Sequence, residues 1–303
     1  MQMKKMIRIR SMFLLAVLLL TGAGALRAQS PLHFNSALNF LQLGELDSAK
    51  KEIDLYFKEP GADKEGDAWF LLGAIYKKTY QTNEDKNVAS PMREKAMAAF
   101  KTALTLDTTA EFQKKVRDNL RYIALRYYND AAATLDTVHF ETSVACYQKY
   151  REAMLLADPT VNIKEKDEGF YLALASTYTS IYNLDKKANA KYFDLARNTY
   201  LDVLKSNPEN YTANYNLGLL YWNKGVDLMY DIDYDANLDS AMLTQDHSVE
   251  LFKASLPFAE KAYEIAPKRE ETLIVLSGIY YSLNEFQRSK VYQEMLDNLR
   301  KQK

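Results

Sequence analysis

The chain is short of several residue types, and each scarcity removes a class of answer. One residue in 303 is cysteine, Cys146. A lone thiol gives no internal disulfide, so packing alone must hold the fold. Glycine and proline are few, at 10 and 7, and no stretch alternates apolar with polar at period two. Missing breakers and missing alternation favour helices over strands. Neither G-x-S-x-G nor a glycine-rich phosphate loop occurs. The three histidines, His33, His139 and His247, are far apart, with no metal-ligand spacing such as H-E-x-x-H. Cys146 has no flanking base and reads as a buried, inert thiol. No catalytic residue, metal site or cofactor is expected, and the chain reads as non-enzymatic.

What is present is a helical, core-forming composition. Hydrophobic residues make up 48% and charged residues 26%, which excludes disorder and allows a large buried core. Residues 1–28 stand apart. Lys4, Lys5, Arg8 and Arg10 precede an apolar run from Met12 to Leu20, and a small-residue segment ends at Ala28. This is the pattern of a secretory signal peptide cut after Ala28. The competing reading, an uncleaved anchor, calls for an apolar run of about 20 residues. Residues 1–28 carry five basic and no acidic side chains, so their removal takes the formal charge from −1 to −6. An acidic chain with no basic stripe argues against nucleic acid. The remaining segments are too short and too polar to span a membrane. The expected location is periplasmic or at the cell envelope.

The organising stretch is Trp69-Phe70-Leu71-Leu72-Gly73-Ala74-Ile75-Tyr76, followed by Ala96-x3-Phe100. Trp69, Leu72 and Tyr76 are three and four apart and share a helix face. Gly73 and Ala96 are small where two helices must approach. The pattern recurs in order. Ala37 with Ala49-x3-Ile53 precedes it. Leu120-x2-Ile123-Ala124-x2-Tyr127 with Ser143-x3-Tyr147 and Tyr171-x2-Leu174-Ala175-x2-Tyr178 with Ala196-x3-Tyr200 follow. Asn214-x2-Leu217-Gly218-x2-Tyr221 with Ser255, and Leu273-x2-Leu276-Ser277-x2-Tyr280 with Ser289, complete the series. These residues resemble the tetratricopeptide repeat family, W-x2-L-G-x2-Y followed by A-x3-F. The resemblance implies an all-α solenoid of about six helical hairpins over residues 29–303, read as one superhelical domain. It also implies a partner-binding scaffold rather than an enzyme.

The departures from the repeat are informative. Small residue to small residue spans 12 positions in the first and sixth hairpins, but 23, 19, 21 and 37 in the second to fifth. The four interior hairpins therefore carry extended turns. Insertions there decorate one edge of a solenoid, and Tyr80, Tyr182 and Tyr230 fall within them. The fifth insertion, Asp227 to Asp239, alternates carboxylates like a calcium loop. Ala236 stands where such a loop needs Gly, and Met242 where it needs Glu, so the tip reads as solvated and acidic. Asn210-Tyr211-Thr212 is a glycosylation sequon, at a frequency expected by chance.

The first helix of each hairpin offers one face to a concave groove. The candidate partner-binding residues are Arg121, Tyr122, Tyr128 and Asn129 in the third hairpin, with Leu125 beside them. The fifth hairpin contributes Tyr215, Asn216, Trp222 and Asn223 with Leu219. The sixth contributes Tyr281 with Ile274 and Val275. Aromatic and Arg side chains dominate interface energies, and Asn serves a peptide backbone as donor and acceptor. For any one of the tyrosines, the groove and the seam between neighbouring hairpins are equal alternatives. The expected partner is a peptide or protein in envelope assembly or a secretion complex. The alternative is a glycan held by tyrosines and the acidic tip.

Overall fold

The computed structural model describes residues 32–232 and 238–302. The signal-peptide segment lies outside the described residues, as do Asp233, Asp235, Ala236 and Asn237 of the calcium-loop comparison. Among the described residues there are twelve α-helices and no strand. They are α1 Leu32–Leu43, α2 Leu46–Tyr56, α3 Gly66–Asn83, α4 Pro91–Leu106, α5 Ala110–Ala133 and α6 Phe140–Ala157. The second six are α7 Lys164–Leu184, α8 Lys191–Ser206, α9 Tyr211–Tyr230, α10 Leu238–Ile265, α11 Glu270–Ser282 and α12 Phe286–Lys301.

The fold is all-α, made of six tetratricopeptide-like hairpins. The chain divides into two compact units. The first runs to Asp130 and takes in Cys146–Val161; it holds α1 to α4 and most of α5 and α6. The second holds Ala131–Ala145 and Asn162–Lys303, with α7 to α12. Within each unit the helices pack as in an α-solenoid. The first, second, fourth, fifth and sixth hairpins each pair their own two helices, and a second helix packs on the next hairpin's first, as α2 does on α3, α8 on α9 and α10 on α11.

The small residues set these pairings. Ala37, Ala49, Ala96, Ala124, Ser143, Ala175, Ala196 and Ser255 have no exposed surface. At Gly73 a Cβ would sit 2.7 Å from the Phe100 ring, and at Gly218 3.1 Å from the Ala259 backbone nitrogen. Any larger residue would force the helices apart. Ser255 Oγ donates to the Gly218 carbonyl at 2.7 Å, and Ser277 Oγ to the Ser289 carbonyl at 3.2 Å. In the third hairpin Ser143 Oγ donates to the Ala131 carbonyl at 2.7 Å.

The turns divide by length. In the first hairpin the Glu45 N–H bonds the Phe40 carbonyl at 2.9 Å, with Gly44 at φ 81°. In the sixth the Glu285 N–H bonds the Tyr280 carbonyl at 2.8 Å, with Asn284 at φ 61°. Both are left-handed helix stops that satisfy a terminal carbonyl. In the interior hairpins most of the inserted length continues the helices, and 84–90, 134–139, 185–190 and 231–237 link them. Two of the three inserted tyrosines correct the expectation of an edge decoration. Tyr80 and Tyr182 are buried, Tyr80 against Arg93 and Tyr182 against Phe193 near the start of each return helix, and Tyr230 alone is 85% exposed.

One buried group was not anticipated. Arg93 has no exposed surface. Its guanidinium lies 3.9 Å from the Tyr127 ring centre and donates to Asp130 Oδ2 and the Val88 carbonyl, both at 2.5 Å. Arg126 holds Asp85 Oδ1 at 2.6 Å and Tyr80 Oη at 3.0 Å. Ser90 caps α4 by accepting the Arg93 N–H at 3.1 Å and donates to Glu84 at 2.6 Å. The 84–90 link is thereby fastened to α4 and α5.

Candidate functional site

The second unit carries a cavity of about 160 Å³ between the first helices of the fourth and fifth hairpins. Helical spacing builds both walls. On α7, Ser176, Thr179 and Asn183 are three and four apart; on α9, Asn216, Leu219 or Leu220, and Asn223 repeat that spacing. Tyr200 of α8 forms the floor, with its hydroxyl 3.1 Å from Ser176 Oγ. Burial raises the Tyr200 pKa above its ordinary value, opposed by hydrogen bonds from Ser176, Thr179 and Asn216. The hydroxyl is thus a neutral donor and acceptor at physiological pH.

No charged side chain lines this cavity. Among the described residues, neither Asn183 nor Asn223 has a protein hydrogen-bond partner for its carboxamide, and both are exposed. Toward the tip, Lys186 Nζ pairs with Asp227 Oδ1 at 2.6 Å. The other oxygen of Asp227 is buried without a partner.

Of the residues expected from sequence, the groove brings together Asn216 and Asn223. Trp222 and Tyr215 turn to the opposite flank of α9, where they pack against the cluster of Ala259, Val275, Leu276, Ile279 and Tyr280. A Cβ on Gly278 would lie 2.3 Å from the Trp222 ring, so the indole fills the space that this glycine leaves. Its Nε1 donates to Ser282 Oγ at 3.2 Å. Tyr215 stacks on Tyr211 with centroids 5.9 Å apart, and burial raises its pKa. Both sit in the seam between hairpins, which for Tyr215 is the second of the two readings left open and for Trp222 corrects the groove assignment.

Tyr281, one hairpin further on, is 65% exposed with its ring 5.4 Å from Phe286. Val275 is buried and Ile274 is 44% exposed. In the first unit, Arg121 is exposed and pairs with Asp118 at 3.4 Å. Tyr122 is half-buried under Lys77, 5.7 Å away, and burial lowers the Lys77 pKa, with Lys78 adding to it. Tyr128 packs among Tyr150 and Tyr147 at 5.1 and 6.4 Å. Asn129 and Leu125 are exposed. Arg121, Leu125 and Asn129 follow one another at four-residue steps along α5.

Sequence reasoning missed Ser176, Thr179, Asn183 and Tyr200. The signal was present in the matching three-and-four spacing of polar residues on α7 and α9. Asn210 of the sequon is already used: its side chain caps α9 by accepting the Ala213 N–H at 2.7 Å and donates to Glu168 at 2.5 Å. No helix among the described residues is long and apolar enough to cross a membrane. Among the same residues no group of three or more His, Cys, Asp or Glu side chains could hold a metal ion.

A scan against protein-family models finds no match, and a search of curated proteins finds none either. Among solved structures, the chain is similar to a monomeric mutant of IFIT1 with Gppp-AAAA. The identity is 14% and the TM-score 0.31 over 88% of this chain. The chain spans about 60% of the length of that protein, and the likeness is too distant to carry an argument about function.

Proposed function

We propose that this chain is an exported, non-enzymatic member of the tetratricopeptide family that binds a peptide or protein partner in envelope assembly or a secretion complex. The observation that carries the reading is the neutral groove of the second unit, with the unspent carboxamides of Asn183 and Asn223 and that of Asn216 on Tyr200. Asn216 and Asn223 are seven residues apart on one helix, a rise of about 10 Å. An extended peptide advances roughly 3.3 Å per residue, so the two carboxamides meet main-chain groups about three residues apart. Each can donate to a carbonyl and accept from an N–H. Export rests on the basic and apolar pattern of residues 1–28, and the envelope setting on that pattern together with the family resemblance.

The test begins with capture of partners from an envelope fraction by the full chain, followed by mapping of the minimal peptide. The Asn216→Ala/Asn223→Ala variant should then weaken that peptide about tenfold or more. Its melting temperature should fall by no more than about 4 °C, since Asn223 is exposed and Asn216 loses one hydrogen bond, to Tyr200. Unaltered peptide affinity in the variant would overturn the reading. So would saturable binding of a cell-wall glycan abolished by the same substitutions, which would assign the groove to sugar.

A further inference from the structure

The size and walls of the cavity in the second unit bear on which side chain a bound peptide offers to it. A peptide held by Asn216 and Asn223 crosses the cavity between them. Side chains of an extended chain alternate between two faces. Within that short span, one side chain turns down toward Tyr200 while its neighbours turn away. The cavity has room for one, at about 160 Å³; a cavity of roughly 150 Å³ takes a single benzene. A serine there would leave space for water, and a tryptophan would not enter.

The walls narrow the chemistry further. Leu219 and Leu220 give one apolar side. On the floor the Ser176 and Tyr200 hydroxyls bond each other at 3.1 Å, and Asn216 spends one bond on Tyr200. A carboxamide has two donor hydrogens and an acceptor oxygen with two lone pairs, so Asn216 keeps at least one donor and one acceptor for a ligand. Asn183 and Asn223 keep all of theirs. Among the described residues no charged side chain lines the cavity, and toward the tip Lys186 and Asp227 already pair at 2.6 Å.

Three kinds of side chain compete for such a pit. A charged one would give up its water and meet no opposite charge, which disfavours Lys, Arg, Asp and Glu. An aliphatic one would pack on the two leucines, yet it would strip water from the carboxamides and leave them unpaired. A carboxamide sets donor against acceptor and acceptor against donor, and its short stem lies along the leucines. A site built to hydrogen-bond a ligand group rejects analogues that lack it.

Resting on the peptide reading of the groove, we propose that the pit between Asn216 and Asn223 recognises an asparagine or glutamine side chain of the bound peptide. It is the position at which the groove reads sequence, whereas the flanking carboxamides hold main chain.

The probe is a set of short capped peptides, Ala-Ser-Ala-Xaa-Ala-Ser-Ala, with Gln, Asn, Leu, Lys or Glu at Xaa, titrated into the full chain and followed by NMR. The better of the Gln and Asn peptides should bind about tenfold more tightly than the Leu, Lys and Glu peptides. Asn216→Asp replaces the carboxamide by a carboxylate of the same shape. It should turn the preference to the Lys peptide, by about fivefold over the Gln peptide at low salt and less as salt rises. Tyr200→Phe keeps the ring and drops the floor hydroxyl, and should cut the Gln-over-Leu ratio to about threefold or less. Equal affinity across the set overturns this inference and leaves the peptide reading standing. So does tightest binding of the Leu peptide, or a Gln preference that survives unaltered in both variants. Failure of every peptide to bind overturns the two together. The comparison within the parent chain decides the preference even where a variant proves unstable.

Discussion

At the tip of the second hairpin the polar side chains turn inward, whereas at the tip of the fifth the apolar side chains stay outside. Both tips come from extra residues between two helices of one hairpin. In the second, Arg93 and Arg126 convert the 84–90 link into part of the core, through Asp130, Tyr80, Asp85 and the Val88 carbonyl. In the fifth, Tyr230, Leu238, Met242 and Leu243 remain in solvent. A buried cation beside aromatic faces and a carboxylate makes a link structural. Apolar residues with no internal partner leave a link available to others.

The largest effect should come from breaking the inward tip. Arg93→Ala removes a fully buried guanidinium from its carboxylate, its carbonyl and the Tyr127 face. Loss of one member of a buried charged network costs about 3 to 5 kcal/mol. Denaturant unfolding should report that loss for Arg93→Ala. Leu238→Ser/Met242→Ser should stay within about 0.5 kcal/mol of the parent, as exposed surface changes do. If the two variants were equally stable, the contrast between the tips would collapse.

The next effect sharpens the boundary between the packed and overhanging parts of α9. Trp222 is the last large side chain before α9 outruns α11. Its indole occupies the space beside Gly278, so Trp222→Ala should cost about 3 kcal/mol by leaving a cavity that two rigid helices cannot close. Any loss of partner binding should then follow the unfolding curve and vanish in the cold. A variant of unchanged melting temperature that no longer binds would return Trp222 to the groove.

These cases also mark what the sequence could convey. The six pairs of small residues were legible because a helix crossing tolerates nothing larger, and nearly all of them are buried. Asn216 and Asn223 were legible because they fall on the face that Leu217 and Tyr221 leave. Trp222 was harder, because its two destinations differ by a small rotation about α9. Only Gly278, 56 residues away in another hairpin, decides between them. Arg93 gave no periodic signal at all. A cation in the first turn of a helix opposes the helix dipole, and that local conflict was the one clue that it served a distant carboxylate. Asn183 and Thr179 belong to the groove through the offset between two neighbouring hairpins, a quantity that depends on packing rather than on either helix alone.

The smallest effect concerns the short tip of the sixth hairpin. There the chain turns on Asn284 at φ 61°, as the first hairpin turns on Gly44 at φ 81°. Asparagine tolerates the left-handed region better than most residues with a Cβ, because its short amide can bond locally. Asn284→Ala should therefore cost about 1 kcal/mol, and Asn284→Gly should be neutral or slightly stabilising. In a repeat fold each hairpin depends mainly on its neighbour, so the loss should be local. Hydrogen exchange is the suitable measurement: amides of α11 and α12 should lose protection in Asn284→Ala while those of α7 and α8 keep theirs. Uniform loss across both hairpins would mean that the second unit unfolds as one cooperative body, and the short tip would then limit the whole unit rather than its last hairpin.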